Sequence, residues 1–495
     1  MTSAPGLAAR LAPSWLRAAT GGRGRPLGLV LLAAGLAAVL GPEWSPVRTL
    51  RLATFDTYQR LAPRARVPAS APAVIVEIDE ASLARHGQWP WPRTLLARLL
   101  TRIAEADPAV IGIDIVMPEA DRLSPPRLPA LIPDLPPDLV ERLRLLPGSD
   151  TVLAAALRGR PVVLGVAGVE AAEVAESARP PAGRRAPMRL IGEDPTRFVR
   201  RFRSVLRSVD EIDAAAAGHG LLNPAADRAV VRRMPLLAVA GDALVPGLAV
   251  EMLRVATGTP GITIRTGPRG VSAVALGDLR IPTEPDGTVW LHYGLSAPER
   301  FVSAADVLAG GIGTGVLSRK LVLVGVTALG LGDHHATPVA PRMPGVEIHA
   351  QLLEGIFDGD LLARPRWTAW LEAGLLVAGG ALLVLVVPVR AVRISFALLI
   401  GLAMVTAGVG ALLYLRAGVL LDVGSPVLEL ALLYSVLLGV TLAEADTQRR
   451  ALRRQVQLQR EAAARVAGEL EAARRIQMGI VPDAARAFPG ESRFD

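Results

Sequence analysis

Three apolar runs follow one another in the last third of this chain, and they constrain what it can fold into more than any other feature. They cover 367–389 (WTAWLEAGLLVAGGALLVLVVPV), 394–415 (ISFALLIGLAMVTAGVGALLYL) and 419–443, with only a few residues between them. A helix of about 22 residues is about 33 Å long, enough for a hydrocarbon core of about 30 Å. A soluble core has no use for three such helices in series, so the pattern predicts a helical membrane bundle from which the rest of the chain hangs. The third run carries Asp422 and Glu429, seven residues apart and so on nearly one helix face. Asp422 is expected near the membrane surface beside Arg416. Glu429, deeper, is expected to serve helix–helix hydrogen bonding ahead of signal transfer.

A shorter apolar stretch, PLGLVLLAAGLAAVLG at 26–41, follows Arg10, Arg17, Arg23 and Arg25. A cleaved signal peptide and an uncleaved signal anchor share this appearance. The long basic leader, and the lack of a small-x-small site before Pro42, favour an anchor. The positive-inside rule then sets the topology. Residues 1–25 form a cytoplasmic basic leader and 26–41 a first transmembrane helix. Residues 44–366 lie outside, and helices over 367–389, 394–415 and 419–443 complete the spans. Arg390 and Arg393 mark an inner turn, Arg416 an outer one, and Arg449, Arg450, Arg453 and Arg454 the final return inside. The expectation is a multi-pass protein of the inner (plasma) membrane with both termini cytoplasmic. Net charge is +8, but the arginines flank apolar runs and form no basic face, so no nucleic-acid partner is expected. The chain has no cysteine, which excludes disulfides and thiolate metal sites.

The outer segment reads as α/β, a mainly parallel sheet with flanking helices. AVIVEID at 73–79 is a buried-type apolar run ending in acid, the leucines of PRTLLARLLTRIAEA (92–106) recur at helical spacing, and AVIGIDIV (109–116) is a second strand. This β-α-β unit implies parallel pairing. PVVLGVAG (161–168) and KLVLVGVT (320–327) look like further central strands. Residues 227–300 read as short strands and turns, including Pro285-Asp286-Gly287, and the proline-rich stretch 118–150 as a surface insertion. Ligands of open α/β sheets gather beyond the carboxyl ends of the strands. Asp79, Glu80, Asp114 and Asp333 stand there, although acids at such points also cap the following helices, as Asp79 and Ser82 could. Asp333, His334, His335, Glu347 and His349 carry metal-ligand chemistry, but no HExxH spacing accompanies them, so packing or ligand contact is preferred. Trp89 and Trp91 in GQWPWPR either pack on the sheet or form a stacking platform. No GxSxG elbow, P-loop or GxGxxG stands in its proper context, so no catalytic residue, metal or cofactor is expected.

An ordered set of motifs completes the picture. Asp56 and Arg60 come first, then VIVEIDEASLARHGQWPWPR (74–93) and AVIGIDIVMPEAD (109–121). GHGLLNP (218–224), VVRRMPL (230–236), IPTEPDGTVWLHYG (281–294) and KLVLVGVTALGLGDHHATPVAPRMPGVEIHA (320–350) follow. This arrangement, between an anchor and three closing spans, resembles the CHASE type 2 extracellular sensory domain. The resemblance implies an extracytoplasmic sensory domain and a receptor. Candidate ligand contacts are Asp79, Glu80, Trp89, Trp91, Arg93, Asp114, Asn223, Asp333, Thr337, Glu347 and His349. One departure is Asp227-Arg228-Ala229-Val230, which lacks the Asp-Gly common in such domains before the Arg-Arg pair.

Residues 445–481 read as a cytoplasmic coiled-coil signalling helix. Leu452, Val456, Gln459, Ala463, Val466, Leu470, Ala473 and Gln477 follow alternating steps of four and three, a parallel seam weakened by two Gln and two Ala. A single solvated helix is the plainer alternative. The stretch ELEAARRIQMGIVP resembles the helix that opens SpoIIE-like type-2C protein phosphatase domains, making 482–495 the start of a truncated effector domain. The expected function is a homodimeric membrane receptor, embedded in lipid, that passes an unknown extracytoplasmic signal to a cytoplasmic effector in cis or in trans. A receptor-type serine/threonine phosphatase missing its catalytic domain, and an outward-facing metal hydrolase, are the alternatives.

Overall fold

The computed structural model describes residues 24–41, 45–65, 71–170, 186–227, 229–331 and 333–480. Most of the basic leader, Arg228 of the departure noted above, and the expected effector start at 482–495 lie outside the described residues. Along the chain come α1 (Arg25–Leu40), α2 (Ser45–Leu61), α3 (Arg93–Glu105), α4 (Leu248–Ala256) and α5 (Gly345–Asp358), with α6 (Trp367–Val386), α7 (Val392–Ala417) and α8 (Gly424–Ile480) at the end. The chain divides into two compact units, one of residues 49–368 and 408–422, the other of the remaining helical segments.

In the first unit a central sheet is built from β1 (Ala73–Ile78), β2 (Val110–Ile113), β3 (Val162–Val169), β4 (Ser204–Leu206), β5 (Gly218–Leu221), β6 (Phe301–Ser303) and β7 (Leu321–Val326). The order β6-β1-β7-β2-β3-β5 is parallel throughout, and β4 runs antiparallel to the end of β3. The parallel α/β sheet expected from the sequence is present. Its neighbours are not those of the chain, because β7 inserts between β1 and β2 and pairs with both. Alternation along each strand serves two layers. Ala73, Ile75, Val110, Val163, Leu321 and Leu323 join a core with α4 and α5, whereas Val74, Val76, Ile78, Ile111, Leu164 and Val322 join a core with α3. Helix α3 buries Leu96, Leu99, Leu100 and Ile103, one stripe at helical spacing.

Short antiparallel strands fill the region between the central ones, among them the ladder Ile262–Gly267, Gly270–Leu276 and Leu279–Pro282. Gly287 closes one turn with φ 75°, a left-handed backbone that glycine takes without strain. The proline-rich stretch forms the 3-10 turn Pro125–Ala130 and the helix Pro137–Leu145, neither with a buried residue. Residues 49–61 of α2 lie across this unit. Asp56 receives two hydrogen bonds from Arg232, both 2.7 Å, and Phe55 meets Trp290 edge to face.

The segment linking α7 and α8 belongs to the same unit. Leu420 N–H donates to Ala363 O at 2.9 Å, Tyr58 Oη donates to Leu421 O at 3.0 Å, and Tyr414 stacks on Tyr58. Asp422, 1% exposed, ion-pairs with Arg51 of α2 at 3.4 Å. The sequence pointed to Arg416 as its companion; the partner from α2 is 371 residues away and no local spacing announces it.

In the second unit Leu32 and Val39 of α1, Leu376 and Leu383 of α6, Leu399 of α7 and Leu433 and Leu437 of α8 share one apolar core. Helices α6, α7 and α8 are long and apolar enough to cross a membrane, and α1, at 16 residues, is a shorter apolar helix. Glu429 lies against the gap left by Gly35, where an added Cβ would overlap its carboxylate.

Candidate functional site

The parallel strands all deliver their carboxyl ends to one edge of the sheet, and a cavity of about 360 Å³ opens there. Strand β2 extends its ladder by one bond, Asp114 N–H to Val324 O at 2.8 Å, and so holds Asp114 at the cavity wall. Beyond β5 the chain turns through Leu222 and Asn223. The Asn223 amide clasps the Gly168 peptide, accepting from its N–H and donating to its C=O. Helix α5 begins at the cavity with Gly345, whose N–H donates to Asp333 O at 2.7 Å, and one turn later presents His349. A two-residue ribbon, His334–His335 against Met343–Pro344, sets His335 beside Asp333, with 3.0 Å between imidazole Nε2 and carboxylate.

These groups hold protons unequally. Burial and the neighbouring Asp333 push the Asp114 carboxyl up to about 7. The hydrogen bond with His335 keeps Asp333 below the usual carboxylate range and correspondingly raises His335. Burial lowers His349 to about 4, against an opposing hydrogen bond to the Leu222 backbone, so its ring is neutral at physiological pH. Residue 349 is 3% exposed and its Nδ1 has no hydrogen-bond partner. A buried nitrogen left unpaired is costly and points to a missing partner.

Four of the candidates from sequence, Asp114, Asn223, Asp333 and His349, therefore come together at one cavity. The other seven do not line it. Asp79 caps the short helix Glu80–His86, accepting from Ser82 N–H at 2.9 Å and from Ser303 Oγ at 2.9 Å. Those bonds, set against its burial, keep its carboxyl below the usual range. Glu80 accepts from Leu329 N–H at 2.9 Å. Trp91 is 1% exposed and donates Nε1–H to Gly87 O, with Trp89 packed beside it. Arg93 donates its backbone N–H to Asp121 and lies 3.8 Å from Asp150. Thr337 closes a turn with Ala340. Glu347 is buried in an ion pair with Arg300 and accepts from Ser296 Oγ. With Glu347 turned to Arg300, the five groups weighed for metal chemistry are divided. Among the described residues no group of three or more His, Asp or Glu is placed to hold a metal ion. His335, weighed in the sequence with the metal-type group but left out of the candidate contacts, lines the cavity, as do Leu222 and Met234. The alternation of Asp333 and His335 along a strand was the one available signal for it.

A larger cavity, of about 800 Å³, lies between the turns at 267–272 and 282–285 and the stretch Leu362–Arg366. Among its ionic groups Arg364 donates to Leu420 O and Glu284 accepts from Trp290 Nε1–H, while Arg269 and Arg366 also line it. The smaller cavity is the better candidate because separate strands, a ribbon and a helix converge on it with titratable groups.

The family model described as the CHASE2 domain matches residues 30–388. The chain belongs to the CHASE2 family. Searches of the curated proteins and of the solved structures find no match. The CHASE2 match begins within α1 and ends just beyond α6, so the whole central sheet and the cavity fall inside it.

Proposed function

We propose that this CHASE2 chain is a multi-pass receptor of the inner membrane whose outer domain binds a signal in the cavity and passes it along α8 to a cytoplasmic effector. A CHASE2 sensory domain joined to three helices long and apolar enough to cross a membrane supports a membrane sensory receptor. The observation that carries the transmission step is the segment Gly418–Asp422. It is hydrogen-bonded to Ala363 and ion-paired to Arg51 within the sensory unit, and two residues later the chain enters the 57-residue α8. A ligand that binds two arrangements of the sensory unit unequally would shift that segment, and only differential affinity can transmit anything.

Four spans with both termini inside complete the topology, α1 serving as anchor and Trp367 and Trp370, both exposed, as interfacial anchors in lipid at the start of α6. On α8 the seam residues Leu452, Val456, Val466 and Leu470 are exposed, as a face awaiting a second copy would be. The effector acts in cis or in trans, and the resemblance of the tail to the opening of a type-2C phosphatase domain makes that enzyme class the first to examine. Fusions of alkaline phosphatase and of a cytoplasmic reporter after residues 60, 300, 391 and 450 test the topology. Alkaline phosphatase activity is expected only for the first two. Activity of the same reporter at 300 and at 450 would sink the receptor.

A further inference from the structure

We propose that the cavity at the carboxyl edge of the sheet takes a small organic cation, an ammonium or guanidinium on a short apolar body, which salt-bridges to Asp114 and donates a hydrogen bond to His349. The inference rests on the reading of this cavity as the sensory site.

Two groups lining the cavity define what fits. Among the described residues the Asp114 carboxyl meets no hydrogen-bond donor, and its neighbours Asp333 and His335 already satisfy one another at 3.0 Å. Asp114 feels the nearby His335 but receives no hydrogen bond among the described residues, so its carboxyl is the one open to a ligand. His349 supplies the complementary demand. Its Nδ1 is unpartnered inside a residue only 3% exposed. In a neutral imidazole that donates through one nitrogen, the other is an acceptor. The site thus offers an anion and a lone pair, and a ligand bearing several N–H donors on a positive centre answers both.

The N-terminus of α5 favours anions in general. Here its first N–H is already committed to Asp333 O at 2.7 Å. The two carboxylates also face the position where an anion would sit: Oδ2 of Asp114 and Oδ2 of Asp333 each lie 3.8 Å from the point a Cβ on Gly345 would occupy. Val116, Ala167, Leu222, Met234 and Ile348 supply the apolar remainder of the wall, and about 360 Å³ sets an upper limit of a short chain or one ring. The groups facing Asp114 are Asp333 and His335 on the ribbon side and His349 on α5, with His334 adjacent to the ribbon pair. Cation binding replaces the proton on Asp114, so affinity rises with pH until that carboxyl is fully ionised. Loss of the proton from His335 acts in the same direction.

The test uses the full chain in detergent micelles at constant ionic strength, with thermal unfolding followed by tryptophan fluorescence. The probes are n-butylammonium and butylguanidinium, with n-butanol and butyrate as neutral and anionic counterparts. Both cations are expected to raise the unfolding midpoint saturably, more strongly at about pH 8 than at about pH 6. Asp114→Asn is expected to weaken them by about tenfold or more, as is Gly345→Leu, which blocks the cavity by bulk without altering its charge. Asp306→Asn, at an exposed pair with Arg85, is expected to leave them unchanged. Equal protection by n-butanol, protection by butyrate alone, or cation protection that survives both Asp114→Asn and Gly345→Leu would overturn the assignment. Those failures leave the reporter-fusion topology standing, whereas a failed topology with intact cation protection would strike only at the receptor reading.

Discussion

Burial at single residues decides what Asp114 and Arg300 can do. Asp114 ionises near pH 3.8 in an unfolded chain but holds its proton up to about 7 in the fold. The native state therefore binds the extra proton between those values, so this residue's contribution to stability is complete below the lower one, falls through the interval and is level above the upper. Neutral His349, with its pKa at about 4, works in the opposite sense over an overlapping range. The difference between wild type and Asp114→Asn isolates the aspartate. The variant is expected to gain relative to wild type as pH rises from about 4 to about 7, as read from denaturation midpoints across that range. Arg300, 0% exposed, reaches both Glu347 and Glu354, and Arg64 meets Glu354 at 2.7 Å and Asp358 at 3.0 Å. Burial raises the Glu354 carboxyl, but the two guanidiniums outweigh it and hold it below its ordinary value. Removing one partner of a buried pair typically costs about 3–5 kcal/mol because a charge is left uncompensated. Arg300→Ala is expected to destabilise by that amount, measurable by chemical denaturation, while Asp306→Asn on the surface costs little.

At the scale of elements, close approach matters more than composition. Helix α1 buries Gly28, Leu32, Gly35 and Val39, a seam at steps of four and three, and its glycines leave room for Leu437 and Glu429 of α8. Gly35→Ala is therefore expected to lower the thermal midpoint, and a second change, Glu429→Ala, to recover most of the loss. Additivity of the two changes would show that they do not meet. The stripe of α5 shows where reading a sequence reaches its limit. Glu347, Gln351, Glu354 and Asp358 lie along one helix face, which looks solvated by pattern, yet the first three are 1% exposed because Arg300 and Arg64 are buried with them. Residue type alone therefore offered Glu347 as a ligand contact.

At the scale of the whole molecule, association is expected to follow from α8. The exposed seam on α8 is expected to make the chain dimeric in detergent, and Leu452→Glu with Leu470→Glu to shift its mass by light scattering toward one copy. An unchanged mass would move the dimer contact elsewhere or remove it.

The three helices long and apolar enough to cross a membrane, and the parallel α/β class, were legible in the sequence because both rest on local apolar patterning, which needs no knowledge of distant residues. Asp114 and Asp333 were legible as strand-end acids for the same reason. The order of strands, with β7 between β1 and β2, was not. Nor was the separation of Asp114, Asn223, Asp333 and His349 from Asp79, Glu80, Trp89, Trp91, Arg93, Thr337 and Glu347. Pairing across more than 200 residues, as between Val110 and Leu321, is a choice among partners of equal local quality. Only the packed fold determines which polar groups satisfy one another and which are left facing a cavity.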